Sequence, residues 1–349
     1  MSLTIMQRFL GPFVLAVFLL GPRGVAAAQV MGAPASLAPL VRAVAPVVVG
    51  ITVMQAPGTP EKHGPAGGVA EAAGSGFIIS RDGMIVTNDH VIAGAGRIMV
   101  TLNDGQQFPA KLAGADDLTD IAVIKITSPR PLPVAVWGNS ASAQVGDWVL
   151  AAGNPFALGN SFTLGIISAE GRDIGDGPFD HFLQLDAPIN PGNSGGPAFN
   201  MAGAVIGINS AIVSPSGGSV GLGFAIPSNS ARPIVAALIA HGEIARGWLG
   251  ISVADRGAGA QQGARITGVE PGGPAARAGL NAGEMVVAVD GRAIGGATAL
   301  TRAIASMAPG TKVLLGISEN QHIFGVPVII ARRPVQLGEC DAHTRRGRR

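Results

Sequence analysis

The stretch Asn190-Pro191-Gly192-Asn193-Ser194-Gly195-Gly196-Pro197-Ala198 sets a serine among glycines, the surroundings a hydroxyl nucleophile needs. A serine attacks a carbonyl only when a base takes its proton and backbone N–H groups meet the oxyanion that forms. Glycine reaches backbone conformations closed to other residues, so it can turn the N–H groups of Gly192 and Ser194 toward one point. Gly192, Asn193 and Ser194 are therefore the candidate oxyanion hole. Glycine-rich serine turns also occur as plain loops, so the stretch needs partners. One is His90 in Thr87-Asn88-Asp89-His90-Val91-Ile92, which follows the apolar run Met84-Ile85-Val86 where a strand would end and face a cleft. Imidazole is the natural base because its ordinary pKa is about 6.5. The other is Asp120, opening the apolar strand Ile121-Ala122-Val123-Ile124-Lys125-Ile126. A carboxylate there can fix the imidazole tautomer and stabilise the imidazolium. Taken singly, each has a competing structural reading: a packed histidine at a strand end, and a carboxylate that caps a strand.

The order His90, Asp120, Ser194 is that of the chymotrypsin-like double barrel; subtilisins and α/β-hydrolases carry the same groups in other orders. The surrounding words are more specific: Gly74-Ser75-Gly76-Phe77-Ile78-Ile79 before the histidine, Gly153-Asn154-Pro155-Phe156 in mid-domain, and Gly221-Leu222-Gly223-Phe224-Ala225-Ile226-Pro227 after the serine. From about residue 38 to about residue 335 the chain resembles the HtrA (Deg) family of trypsin-like serine proteases. Asp89 departs from the small neutral residue that the resemblance leads one to expect before the histidine. Neighbouring side chains on a strand face opposite sides, so Asp89 is expected to face solvent.

The elements that must position these groups are legible as pattern. Residues 47–126 alternate apolar strands with Asp-Gly turns, and 135–227 repeat the style, as expected of two antiparallel β-barrels with a cleft between them. Residues 55–74, polar and glycine-rich, fall outside the pattern and are expected to form a loop. After the helix-like stretch 231–241, Gly247-Trp248-Leu249-Gly250-Ile251, the turn Pro271-Gly272-Gly273-Pro274, a short helix and the strand Met285–Val289 resemble a single PDZ domain. Such modules add a peptide to a sheet edge and hold its carboxylate in a loop. The match makes Trp248, Leu249, Gly250 and Ile251 that loop. Glu284 stands where these modules more often have aspartate. The expected fold is mainly β: a chymotrypsin-like double β-barrel protease domain over 47–230 and one PDZ domain over 245–335.

Composition agrees with an exported globular enzyme. The chain has 349 residues, 47% of them hydrophobic and 13% charged, enough to bury a sizeable core. Its 52 glycines and 25 prolines suit many short strands and tight turns. The formal net charge of +2 is small, and no basic stripe interleaved with aromatics suggests nucleic acid. The basic residues of 336–349 read as a solvated tail. Arg8, the apolar run 9–20 and Ala26-Ala27-Ala28 read as a signal peptide over 1–28 with Gln29 as the mature start. About twelve apolar residues are fewer than the roughly twenty of a membrane span. An uncleaved inner-membrane anchor is the rival reading. The single cysteine, Cys340, excludes an internal disulfide and a cysteine-based metal cluster, and the six histidines lack H-E-x-x-H spacing. No metal or cofactor is expected.

A pocket for a basic side chain would want a carboxylate at its base. Ile189, Asn190, Leu222, Gly223 and Phe224, the candidate substrate pocket, offer none, and strand alternation could equally turn the nearby Asp186 away. Small aliphatic P1 residues, in line with the family, fit better. The resemblance implies a periplasmic protease acting on unfolded or misfolded envelope polypeptides, with peptide C-termini binding the PDZ domain. It also implies a homo-trimer or larger assembly, which residues 29–46 would help to form through Leu37, Leu40 and Val41. The competing class is a proteolytically weak chaperone or PDZ adaptor.

Overall fold

The structure is a computed structural model that describes residues 36–55, 71–155, 159–175, 177–214, 218–255, 263–319 and 322–334. The expected signal peptide, Phe156, Cys340 and the basic tail lie outside these residues.

A short helix α1 (Ala38–Val44) leads into β1 (Val48–Gln55), β2 (Glu71–Ile78) and β3 (Met84–Thr87). Then come the helical turn α2 (Asp89–Ile92), β4 (Ala95–Thr101), β5 (Gln107–Asp116) and β6 (Ile121–Ile126). The strands close as β1-β2-β3-β6-β5-β4, with β1 pairing β4 to seal the barrel. Its interior is filled by fully buried Val49, Ile51, Ile78, Ile85, Val100 and Ile124. Removing one such side chain from water is worth about 1.5–3 kcal/mol, so the alternating apolar face drives closure.

The loop expected over 55–74 is shorter at both ends. Gln55 ends β1, and Glu71 already pairs with Met54 in β2. The start of the strand was hidden because Gly74 is set by close packing rather than by alternation. A Cβ on Gly74 would fall 2.5 Å from Val91 Cγ1 of α2.

The second barrel is built from β7 (Val136–Trp137), β8 (Trp148–Gly153), β9 (Ser161–Arg172) and β10 (Phe182–Leu185), followed by β11 (Pro197–Phe199), β12 (Ala204–Ile212) and β13 (Gly223–Pro227). β11-β8-β9-β10-β13-β12 close through the β11–β12 pairing, and β7 adds to β12 in parallel. Helix α3 (Ser228–His241) packs on β5 and β6 of the first barrel and on β12 and β13 of the second. That is why Ile121–Ile124 of β6 are buried on both faces, with the barrel interior on one side and α3 packed against the strand. The helix starts three residues before the stretch 231–241 read from sequence, directly after Pro227.

The C-terminal part comprises β14 (Gly247–Trp248), β15 (Ile251–Asp255), β16 (Ala264–Val269), α4 (Pro274–Arg277), β17 (Met285–Val289) and β18 (Arg292–Ala293). It ends with α5 (Ala297–Ala305), β19 (Lys312–Glu319), β20 (His322–Ile329) and β21 (Ala331–Arg332). Its main sheet runs β15-β16-β17-β19-β20, with β18 on β17, and β14 pairs with β21. Leu300 and Ile304 of α5 enter a core with Ile266, Val286, Leu315 and Ile317. Strand β15 is an edge. Among the described residues, no helix is long and apolar enough to cross a membrane.

Candidate active site

Two consecutive tight turns present Ser194. The Asn193 N–H donates to Asn190 O at 3.0 Å, closing a turn with Pro191 and Gly192 at its centre, and Gly192 has φ +97°. The Gly196 N–H donates to Asn193 O at 3.0 Å, closing a second with Ser194 and Gly195 at its centre, and Gly195 has φ +82°. Positive φ at the third position is the type II arrangement, which glycine adopts without strain and for which proline at the second position is preformed. The words Asn-Pro-Gly-Asn and Asn-Ser-Gly-Gly therefore write this double turn directly. A Cβ on Gly195 would lie 2.3 Å from both Ser75 O and Thr87 Oγ1, so the second turn has no room for a side chain.

The same bonds sort the three residues read as an oxyanion hole. The Asn193 N–H is spent on Asn190, whereas the N–H groups of Gly192 and Ser194 have no acceptor among the described residues. Asn193 drops out as a donor because a turn of this type consumes the N–H of its fourth residue.

His90 is the second residue of α2, whose Val91 and Ile92 anchor in the first barrel. Asp120 stands just before β6 with φ +53°, a left-handed conformation that aspartate tolerates better than most residues. The buried Asn88 holds it there through Nδ2–H donated to Asp120 O at 2.8 Å. The Asp120 carboxylate faces His90 with both oxygens 2.9 Å from Nδ1, and Oδ1 also accepts the His90 backbone N–H at 3.0 Å. A carboxylate only accepts, so Nδ1 carries a proton, and Nε2 is the ring nitrogen left to exchange one. Ser210, on β12, ties the second barrel to this pair: its Oγ donates to Asp120 Oδ2 at 2.8 Å, and its carbonyl accepts from Ser194 Oγ at 3.2 Å. All three sequence-predicted groups are thus linked through Asp120 and Ser210, with the Ser194 hydroxyl donating to the Ser210 carbonyl.

Asp89 does not face solvent as strand alternation suggested. It lies on a helical turn, where successive side chains are about 100° apart rather than opposite, and it is half-buried. Burial first, then Asp120 and Asp117, push its carboxyl up to about 6. Asp186 is exposed, and its Oδ1 accepts the Ile166 N–H of β9 at 2.6 Å.

Of the substrate-pocket candidates, Ile189 and Gly223 meet: a Cβ on Gly223 would sit 2.9 Å from Ile189 Cδ1. Leu222 is exposed, and Asn190 Oδ1 accepts the Ser219 N–H at 3.0 Å. Phe224 is not brought to the same place. It follows Gly223 on β13, so it takes the opposite face, and its buried ring packs edge-on against Phe182 at 6.1 Å.

In the C-terminal part, Leu249 is buried in the core, and Gly250 at φ +72° reverses the chain into β15. The carbonyls of Leu249 and Gly250 accept the N–H groups of Ala275 and Glu270 at 2.9 Å each. The N–H groups of Leu249 and Gly250 have no acceptor among the described residues. Arg246, just before this segment, forks onto the buried Asp116 at the end of β5, with Nη2–Oδ2 2.6 Å and Nε–Oδ1 3.2 Å, and lies 4.5 Å from the Phe179 ring centre.

Sequence reading missed Ser210, Asn88 and Ser75 because each acts through a partner more than 30 residues away in sequence or through backbone atoms. Ser75 and Asn88 did appear within the Gly-Ser-Gly-Phe and Thr-Asn-Asp-His words, though without a role.

The trypsin-like peptidase domain family matches residues 74–208, and the PDZ domain family matches residues 237–318. The probable periplasmic serine endoprotease DegP-like of Brucella suis is 46% identical over 282 residues, which cover 78% of this chain and 55% of that protein. The protein of the same description from Chlamydia trachomatis is 46% identical over 276 residues, covering 76% and 55%. The chain thus spans about half the length of the curated relatives it matches. Among solved structures, the HtrA-type protease AlgW with decapeptide superposes with a TM-score of 0.71 at 37% identity, over 86% of this chain and 99% of that one. The serine endoprotease from Yersinia pestis does so with a TM-score of 0.68 at 35% identity, over 87% and 100%.

Proposed function

Since the chain belongs to the HtrA family of trypsin-like serine proteases and carries a PDZ domain, we propose that it is a periplasmic, ATP-independent serine endoprotease that cleaves unfolded or misfolded envelope polypeptides. The observation that carries this reading is the Asp120 carboxylate set against His90 Nδ1 while Ser210 links that carboxylate to Ser194. His90 Nε2 takes the Ser194 proton as Oγ bonds to the scissile carbonyl carbon. The oxyanion is met by the Gly192 and Ser194 N–H groups. His90 then passes the proton to the departing amine as the C–N bond breaks, and water hydrolyses the acyl-enzyme by the reverse sequence. No metal or cofactor takes part. The periplasmic assignment follows the names of the Brucella and Chlamydia relatives and a leader cleaved near Gln29; an uncleaved inner-membrane anchor is its rival. The working assembly is a homo-trimer or larger.

The close apposition of Ile189 and Gly223 supports a shallow pocket for valine or alanine at P1. Strand β15, an edge among the described residues, and the N–H groups of Leu249 and Gly250, without acceptors there, support capture of an extended peptide by its C-terminal carboxylate. The test is hydrolysis of unfolded casein together with labelling by a fluorophosphonate. The purified chain should do both, and Ser194→Ala should do neither while keeping its melting temperature. Substantial casein cleavage by Ser194→Ala would remove the assignment.

A further inference from the structure

Ser75, on β2 of the first barrel, is fully buried, and each of its polar atoms is spent on another element. Its N–H donates to Ser194 O at 2.8 Å, and its Oγ donates to Gly192 O at 2.6 Å. The same Oγ accepts the Asn154 N–H from the end of β8 at 2.7 Å, and its carbonyl accepts Thr87 Oγ1 at 2.7 Å. One residue of the first barrel thus grips the nucleophile turn of the second at two carbonyls, one on each side of Asn193.

We infer that the Ser75 hydroxyl is a positioning residue for the oxyanion hole, holding the Gly192–Asn193 peptide in the orientation that leaves the Gly192 and Ser194 N–H groups free for the oxyanion. The peptide unit is a rigid plate. Ser75 Oγ fixes its carbonyl end, and the Asn190 carbonyl fixes its N–H end. The N–H groups of Gly192 and Ser194 belong to the plates on either side, so their common direction is set by this middle plate. The Ser75 N–H bond to Ser194 O holds the plate that follows the nucleophile. Without the hydroxyl, the Gly192 carbonyl has lost its partner in a buried site, and a rotated plate that finds another acceptor becomes competitive. Removing a direct oxyanion donor costs roughly 10²–10³-fold in rate. A misdirected pair should cost somewhat less, about 10–100-fold, and the loss should fall on the transition state rather than on substrate binding.

This inference rests on reading Ser194 as the nucleophile, and the experiment separates the two. Hydrolysis of a quenched-fluorescent peptide with valine at P1 is followed for the wild-type chain, Ser75→Ala and Ser75→Cys, alongside the affinity of a peptide boronic acid that mimics the tetrahedral intermediate. Cysteine brings a larger atom and is a poor donor, so alanine and cysteine change the packing in opposite directions while both remove the hydroxyl donor. A role in packing alone therefore predicts different turnover for the two variants. The positioning role predicts that both variants lose about 10–100-fold in kcat with KM within threefold of wild type, and that boronate affinity falls in step with kcat. Full kcat and full boronate affinity in either folded variant overturn the inference, as does a loss confined to KM. Failure of both variants to fold would make Ser75 a folding residue and overturn it equally. A wild-type chain that neither turns over peptide nor binds the boronate would instead defeat the protease reading itself.

Discussion

The half-buried Asp89 carboxyl offers a perturbation whose sign and size follow from its surroundings. Asp89→Asn keeps the shape and removes the charge. Burial, with repulsion from Asp120, Asp117 and Asp116 outweighing attraction from His90, raises this carboxyl from the ordinary 3.8 to about 6. Between those two values the folded chain keeps a proton that the unfolded chain has released. Above about pH 6 both states are ionised, and the folded state bears a charge that it solvates poorly. The cost is therefore full above about pH 6, shrinks as pH falls toward 4, and vanishes below it. A gap of about two pH units at 1.36 kcal/mol each sets a ceiling near 3 kcal/mol. Because Asp89 keeps part of its surface in water, screening should reduce this to about 1–1.5 kcal/mol. For a cooperative unit of roughly 150–250 residues that is a rise in Tm of about 2–6 °C. Differential scanning calorimetry at pH 8 and pH 4 checks it, with both proteins also carrying Ser194→Ala to prevent self-digestion. Asp89→Asn should melt higher at pH 8 and at the same temperature at pH 4. An equal rise at both values would show a packing effect, and a fall at pH 8 would show that the ionised carboxylate is wanted; either refutes the reasoning.

Gly195→Ala should lower stability by more than about 2 kcal/mol and abolish fluorophosphonate labelling, since left-handed backbone strain adds to a clash with Ser75 O and Thr87 Oγ1; thermal melting and labelling read both effects. Arg246→Met should cost about 3–5 kcal/mol in urea unfolding because it strands the buried Asp116 carboxylate, and adding Asp116→Asn should recover part of the loss. Ser210→Ala, which deletes a donor to Asp120 Oδ2, should lower kcat several-fold with KM unchanged in a peptide-hydrolysis assay. A peptide with an apolar last residue and free carboxylate should bind the β15 edge, measured by fluorescence anisotropy, and its C-terminal amide should bind more weakly because the Leu249 and Gly250 N–H groups lose an anionic partner.

What the sequence determined by itself was the local chemistry. Pro191, Gly192 and Gly195 write the double turn under Ser194 because proline and glycine restrict the backbone at each step, whatever surrounds them. The order of His90, Asp120 and Ser194 points to two barrels, and the apolar run Ile121–Ile126 reads as a buried strand from its residues alone. The tertiary structure decided everything that depends on what lies across a gap in sequence. Asp89 is half-buried because α2 is a helical turn tucked beside the turn that carries Asp120, not the continuation of β3. Phe224 is parted from Ile189 because β13 alternates at Gly223: the glycine is pressed against Ile189 and the phenylalanine ring packs on Phe182. Residues 71–74 form a strand because they pair with Ile51–Met54 of β1, a partner some twenty residues earlier in the chain. Ser75 acquires its role only when closure of two barrels brings its hydroxyl to a carbonyl 117 positions away. A backbone preference acts between neighbours in the chain, whereas a hydrogen bond or a close contact acts between neighbours in space, and only the folded chain establishes which residues those are.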